Sequence, residues 1–151
     1  MRIIGIDPAL TKSGWAVIEK QANQNHYLAS GIIKTDAKLP LDHRLKFIYQ
    51  EVSQILKEFK PEYAAIEETF VNKNAATSLK LGCARGSMIS CLAMHDLKIS
   101  EFTPKYIKKS LTGSGAADKT QMMKMISLLL PKAKIKYDDE ADALAIALAY
   151  Y

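Results

Sequence analysis

Between residues 41 and 59 the apolar positions Leu41, Leu45, Ile48, Val52, Ile55 and Phe59 recur at intervals of four, three, four, three and four. That rhythm follows the 3.6-residue turn of an α-helix and predicts an amphipathic helix with one buried face. Pro40 and Asp42 suit its first turn, where a missing N–H and a negative charge are both tolerated. Upstream the pattern changes to short β-branched runs, "RIIGI" (2–6), "GWAVIEK" (14–20) and "HYLASGIIKT" (26–35). Asp7-Pro8 and the polar "QANQN" divide them, so a three-strand antiparallel meander is expected. Downstream, "PEYAAIEE" (61–68) reads as a buried strand because "YAAI" has little polarity, and "LKISEFTP" (97–104) gives a fifth strand.

A second helix is predicted from about Asn74 to His95, with many small residues along it. Gly82 and Gly86 lie four apart on one face, which lets another backbone approach closely. Packing within the subunit and packing on a second copy of the chain both satisfy that pattern. Then "PKYIKKSL" forms a short basic helix, and the loop "TGSGAADK" leads into "KTQMMKMISLLL", whose Met and Leu residues are expected in the core. Pro131 ends that helix, and "DDEADALAIALAYY" forms the last one. Strands in a meander, followed by strands alternating with helices, give the α/β class: a mixed five-stranded sheet flanked by helices. No internal repeat or linker divides the chain, so residues 1–151 are expected to form a single domain.

Composition narrows the function classes. Hydrophobic content of 48% and charged content of 25% describe an ordinary globular protein. The 21 basic and 16 acidic residues leave a net charge of +5, compatible with a polyanionic partner. Cys83 and Cys91 lie too far apart along one helix to bridge there, so free thiols in a reducing compartment are expected. No apolar stretch approaches the roughly 20 residues of a membrane span, and no signal peptide is expected at "MRIIGID". The expected location is therefore the cytoplasm, with no membrane partner.

Against the basic balance, residues 138 to 142 read "DDEAD". Asp139 and Asp142 are three apart and share a helical face. Asp7 closes the first predicted strand and Glu67 the fourth, so neighbouring strands would bring these two together. Clustered carboxylates repel one another unless a cation compensates them. Oxygen donors without His or Cys suit Mg²⁺ or Mn²⁺. Two such ions about 4 Å apart can activate water and stabilise a leaving oxygen in phosphodiester hydrolysis. Each residue taken singly has a plainer use: Asp7 as a turn former, Glu67 as a solvated strand end, Asp138 or Asp139 as a helix cap. Within "DDEAD", Asp138 is expected to cap the helix and Glu140 to face solvent.

Three blocks, "GIDPALTKSGWAVIE", "AIEETFVNKNAATSLKLGCARG" and "DDEADALAIALAY", resemble the RuvC family of Holliday junction resolvases, in order and over essentially the whole chain. The resemblance implies an RNase H-like fold and a homodimer that cuts four-way DNA junctions by paired symmetric nicks in recombination and repair. It implies metal-binding catalytic acids at Asp7, Glu67, Asp139 and Asp142, holding Mg²⁺ (or Mn²⁺), with two ions per site. It further implies a catalytic or phosphate-binding role for Lys119 and DNA contacts by Phe70, Lys73 and Lys108. Phe70 would stack on a base near the junction centre. The Gly82/Gly86 helix corresponds to the family's dimer helix, and a branch-migration helicase is the implied partner. The family usually carries Gly where Ala9 and Ala16 stand, which raises the question of whether the loop beside Asp7 is restricted. Competing readings are a nuclease of the same fold acting on RNA or a non-junction substrate, an ATP-binding actin-like or sugar-kinase domain, and a junction-binding module without catalysis. The "FVNKNA" block argues against the first, chain length against the second and the full set of acids against the third.

Overall fold

The computed structural model describes residues 1–22, 24–71 and 73–150. Three strands come first: β1 (Arg2–Asp7), β2 (Lys12–Gln21) and β3 (Gln24–Lys34). Then follow α1 (Leu41–Phe59), β4 (Tyr63–Glu67), α2 (Ala75–Met94) and β5 (Lys98–Phe102). The chain continues through α3 (Pro104–Thr112), α4 (Lys119–Leu129) and α5 (Asp138–Leu148). The strands form one sheet in the order β3-β2-β1-β4-β5. β1, β2 and β3 pair antiparallel as the expected meander, whereas β4 pairs parallel to both β1 and β5. β2 starts earlier than its apolar run suggests, because Lys12 and Ser13 still pair with Lys34 and Ile33.

The alternation of side chains along the strands gives the sheet two apolar faces. Ile4, Ile6, Val17, Ala64 and Ile66 point to the side covered by α1 and α2, where they meet Ile48, Val52, Met88 and Leu92. Ile3, Ala16, Ile18 and Ala65 point to the other side, against α5 with Ile107 of α3 and Ile126 of α4. Each fully buried isoleucine contributes roughly 1.5–3 kcal/mol relative to an exposed one. The predicted stripe of α1 is the face that enters this core, with Ile48 and Val52 fully buried.

α5 lies directly on the sheet backbone. A Cβ on Gly5 would stand 2.2 Å from the Ala143 carbonyl oxygen, and one on Gly14 would stand 1.9 Å from that of Asp139. Bare strand positions, Gly5 opposite Ala143 and Ala147 and Gly14 opposite Asp139, are thus what allow the last helix to sit so close to β1 and β2. Gly82 and Gly86 behave differently: added Cβ atoms there meet nothing within 4 Å, so no packing among the described residues uses them.

The start of α5 corrects two readings of "DDEAD". The residue preceding the helix is Tyr137, and Asp138 is already its first residue with a highly exposed side chain. Glu140 is not solvated; it is 4% exposed. Its carboxylate accepts the Lys136 N–H at 2.6 Å, the Tyr137 N–H at 3.0 Å and the Ser30 hydroxyl at 3.3 Å. Glu140 therefore reaches back to satisfy amides ahead of the helix and ties them to β3, the capping work expected of Asp138. Ala9 is not among the described non-glycine residues with left-handed backbone, which are Ala22, Lys60 and Asp96, so its backbone conformation needs no glycine.

Candidate active site

Ile6 of β1 and Ile66 of β4 are partners in parallel register. The next residues, Asp7 and Glu67, consequently leave the sheet side by side at the carboxyl ends of adjacent strands, where α/β sheets commonly present their sites. Asp139 is held over β2 by the Gly14 contact, and Asp142 follows one turn later on α5.

The charges of these residues act on one another. Burial pushes the Asp7 carboxyl up to about 7, with Glu67, Asp142 and Asp139 adding to the rise in that order. Burial also raises Glu67, and Asp142 raises it further, while Lys108 acts in the opposite direction. Asp142 is raised chiefly by burial, pulled back by Lys119 and Lys108, and raised again by Asp139 and Asp138. Three carboxylates raised by burial and by acidic neighbours, Asp139 among those neighbours, two lysines opposing the rise and no His or Cys in the set fit a hard divalent cation such as Mg²⁺ or Mn²⁺. Among the described residues, no three His, Cys, Asp or Glu side chains are drawn together as a ready-made cage. Asp139 is turned to Lys12 instead, with Nζ 2.8 Å from Oδ2.

Beside the acids opens a cleft of about 220 Å³, whose polar side carries Glu67, Lys108, Lys119, Asp138 and Asp142. Ile107 and Met122 belong to its apolar wall. Lys108, one of the adjacent pair 108–109, is partly buried in this lining, whereas Lys109 is exposed. Lys119 is the first residue of α4, which Asp118 caps, and its ammonium reaches across to Asp138 at 3.4 Å. Phe70 and Lys73 do not join the cleft. Phe70 is 65% exposed and Lys73 is exposed, both on the segment between Glu67 and α2. The sequence-predicted residues thus form an inner group of acids and lysines and an outer, exposed pair, Phe70 and Lys73.

Several supports are not apparent from the sequence. Arg85 of α2 donates its Nε–H to the Glu67 carbonyl oxygen at 3.3 Å and pairs through its guanidinium with Glu101. Buried Arg44 donates to the Thr35 hydroxyl at 2.9 Å and the Thr11 hydroxyl at 3.0 Å, bracing the loop after Asp7. Ser13 closes the same loop, accepting the Ala9 N–H at 3.1 Å and donating to the Ala9 carbonyl at 2.6 Å. Arg44 alone left a trace, since it precedes Ile48 and Val52 at intervals of four on the stripe of α1.

Comparison with known proteins places this arrangement. Residues 3–150 match the family model described as crossover junction endodeoxyribonuclease RuvC. A crossover junction endodeoxyribonuclease RuvC of Rickettsia bellii is 53% identical over 148 residues, 97% of this chain and 94% of that one. The Rickettsia felis protein is 51% identical, covering 97% of this chain and 95% of its own. Among solved structures, Thermus thermophilus RuvC in complex with a Holliday junction substrate superposes with a TM-score of 0.92 at 30% identity. That match covers 99% of this chain and 92% of the Thermus chain. The yeast mitochondrial Holliday junction resolvase, 11% identical with a TM-score of 0.70, shares the fold. The mixed sheet with flanking helices is thus the RNase H-like fold of the RuvC structures.

Proposed function

The chain belongs to the RuvC family of crossover junction endodeoxyribonucleases, and we propose that Asp7, Glu67, Asp139 and Asp142 form its metal-binding catalytic centre. The protein is a nuclease that resolves Holliday junctions in DNA recombination and repair. The single observation that supports the residue assignment is the Asp7 carboxyl, raised to about 7 by burial first and then by the charges of Glu67, Asp142 and Asp139, acids distant from it in sequence. As single residues they have ordinary structural uses; together their repulsion calls for a cation.

The four carboxylates would hold Mg²⁺, or Mn²⁺ in its place, as a pair of ions. Bound there, divalent cations stabilise charge on a scissile phosphate and lower the pKa of an attacking water. The chain's own residues supply the rest. Lys108 and Lys119, at the cleft, meet a phosphate as point charges and hold the backbone in register with the acids. Water adds its oxygen to phosphorus while the bond to the 3′ oxygen breaks, leaving a 5′-phosphate and a 3′-hydroxyl. Exposed Phe70 suits stacking on a base freed at the junction centre, a contact worth roughly 1–3 kcal/mol, and Lys73 beside it would meet the backbone.

Two symmetric nicks require two such centres, which a two-fold dimer provides. α2 supports a dimer: Leu79 and Met94 are 72% and 74% exposed on the same stripe as the uncovered Gly82 and Gly86. One domain over residues 1–151, cytoplasmic work and delivery to the junction by a branch-migration helicase complete the reading. No helix among the described residues is long and apolar enough to cross a membrane.

The decisive experiment incubates the protein with a synthetic four-way junction and a matched linear duplex, with Mg²⁺ or with chelator. Paired nicks in the junction alone, in metal alone and absent from Asp142→Asn, are the expected result. Equal attack on the duplex, or undiminished cleavage by that variant, would sink it.

A further inference from the structure

Lys12 opens β2, and its ammonium lies 2.8 Å from Asp139 Oδ2 and 4.7 Å from the centre of the Tyr137 ring. Its direction is set by the strand: Lys12, Gly14 and Ala16 alternate onto the face that carries α5. The other partner is equally constrained. The Asp139 backbone rests on Gly14, and its Cβ would be 3.1 Å from a Cβ placed there. Glu140, next in sequence, is anchored to Ser30 and to the Lys136 and Tyr137 amides. The first turn of α5 is therefore fixed, and only rotation of the Asp139 side chain remains to change what its carboxylate faces.

From this geometry we propose that Lys12 is a built-in competitor for the Asp139 carboxylate, a tethered monovalent cation that tempers how tightly the carboxylate centre takes divalent ions in the absence of DNA. The inference rests on the reading of Asp139 as a metal ligand and adds a residue that no family motif assigned. The Coulomb logic is direct. A carboxylate shared with an ammonium at 2.8 Å donates less charge to a second cation, and the ion pair must be broken before Oδ2 turns inward. The Tyr137 ring also attracts the ammonium, which favours Lys12 staying near Asp139. An arriving phosphodiester offers Lys12 an alternative anion, so DNA would relieve the competition and favour metal loading when substrate is present. The weight of the effect is bounded by the partial exposure of the pair, 38% and 26% for the two side chains.

The test is calorimetric titration of Mn²⁺ into the full chain without DNA, comparing wild type with Lys12→Met, Lys12→Arg and Asp142→Asn. Lys12→Met should bind Mn²⁺ roughly two- to fivefold more tightly, the span that a partly exposed ion pair permits. Lys12→Arg, which keeps the charge, should match wild type. If Lys12→Met binds like wild type while Asp142→Asn binds more weakly, the carboxylate centre stands and Lys12 is only a brace between β2 and α5, which overturns the proposal. If Asp142→Asn binds like wild type, or none of the proteins binds Mn²⁺, the metal-centre reading fails and the Lys12 proposal falls with it.

Discussion

Asp7 and Glu67 stand next to each other because Ile6 and Ile66, one residue earlier on each chain segment, are opposed in register in a parallel pair of strands. Sixty residues of sequence separate the two acids, and one strand pairing removes that distance. The apolar pair beneath them is fully buried, so the acids are presented from a rigid base.

That placement has a thermodynamic consequence for the metal-free protein. The Asp7 carboxyl is raised from 3.8 to about 7 by burial and by its acidic neighbours. Between these values the unfolded chain gives up the proton and the folded protein keeps it. Stability conferred at low pH is therefore lost progressively as pH rises from about 4 to about 7, and stays lost above. Glu67 and Asp142 shift in the same direction. In chelator, the melting temperature should be lower at pH 8 than at pH 5, and Asp7→Asn should recover on the order of a few kcal/mol at pH 8. The same variant should cleave no junction. A flat melting profile across this range, unchanged by Asp7→Asn, would contradict the burial of the charge.

Much of this was visible in the chain before any coordinates. Short apolar runs between turn signals located the five strands, the 3.6-residue period located α1, and the remaining helices were legible from the segments between loops and Pro131. The acids Asp7 and Glu67 could be singled out because strand ends are legible, though their meeting depended on β1 pairing with β4. What escaped was polar and long-range. Glu140 sits within an acidic run and was expected to face solvent, yet the amides it satisfies and Ser30 of β3 draw it into the interior. Lys12 and Arg85 act through tertiary contacts with Asp139 and Glu67 that no spacing encodes. Within the subunit, the glycines covered by a packed helix are Gly5 and Gly14, which no spacing singled out, whereas Gly82 and Gly86 are covered by nothing among the described residues.

Arg85 offers a way to disturb Glu67 without touching its carboxylate. Its Nε–H holds the Glu67 carbonyl oxygen at 3.3 Å, and its pairing with Glu101 fixes the guanidinium between β4 and β5. Arg85→Met should release the end of β4 and lower the single-turnover cleavage rate by on the order of ten- to a hundredfold, the sensitivity expected when a catalytic group is slightly misplaced. Junction affinity, measured in Ca²⁺ to prevent cutting, should stay within a few fold. Arg85→Lys should behave more like Met than like Arg, because an ammonium cannot hold both partners with one planar fork. A drop in affinity equal to the drop in rate would show that Arg85 serves DNA binding instead.

The dimer assignment can be broken at α2 with little expected damage to the subunit. Leu79, Gly82, Gly86 and Met94 follow one another at intervals of three, four and eight, which keeps them on one helical stripe. The glycines face open space, so a larger side chain at Gly86 meets no atom of the described residues within 4 Å of its Cβ. It would, however, hold apart a second backbone brought against that stripe. Gly86→Leu should therefore leave the subunit folded, with far-ultraviolet circular dichroism unchanged, because leucine favours a helix more than glycine does by somewhat under 1 kcal/mol. Light scattering should show the wild type as a dimer at micromolar concentration and Gly86→Leu shifted to monomer. On a four-way junction the monomer should yield uncoordinated single nicks in place of paired ones, since each centre is intact but its two-fold mate is missing. Retention of the dimer by Gly86→Leu would move the interface away from this stripe, and a monomeric wild type would remove it altogether.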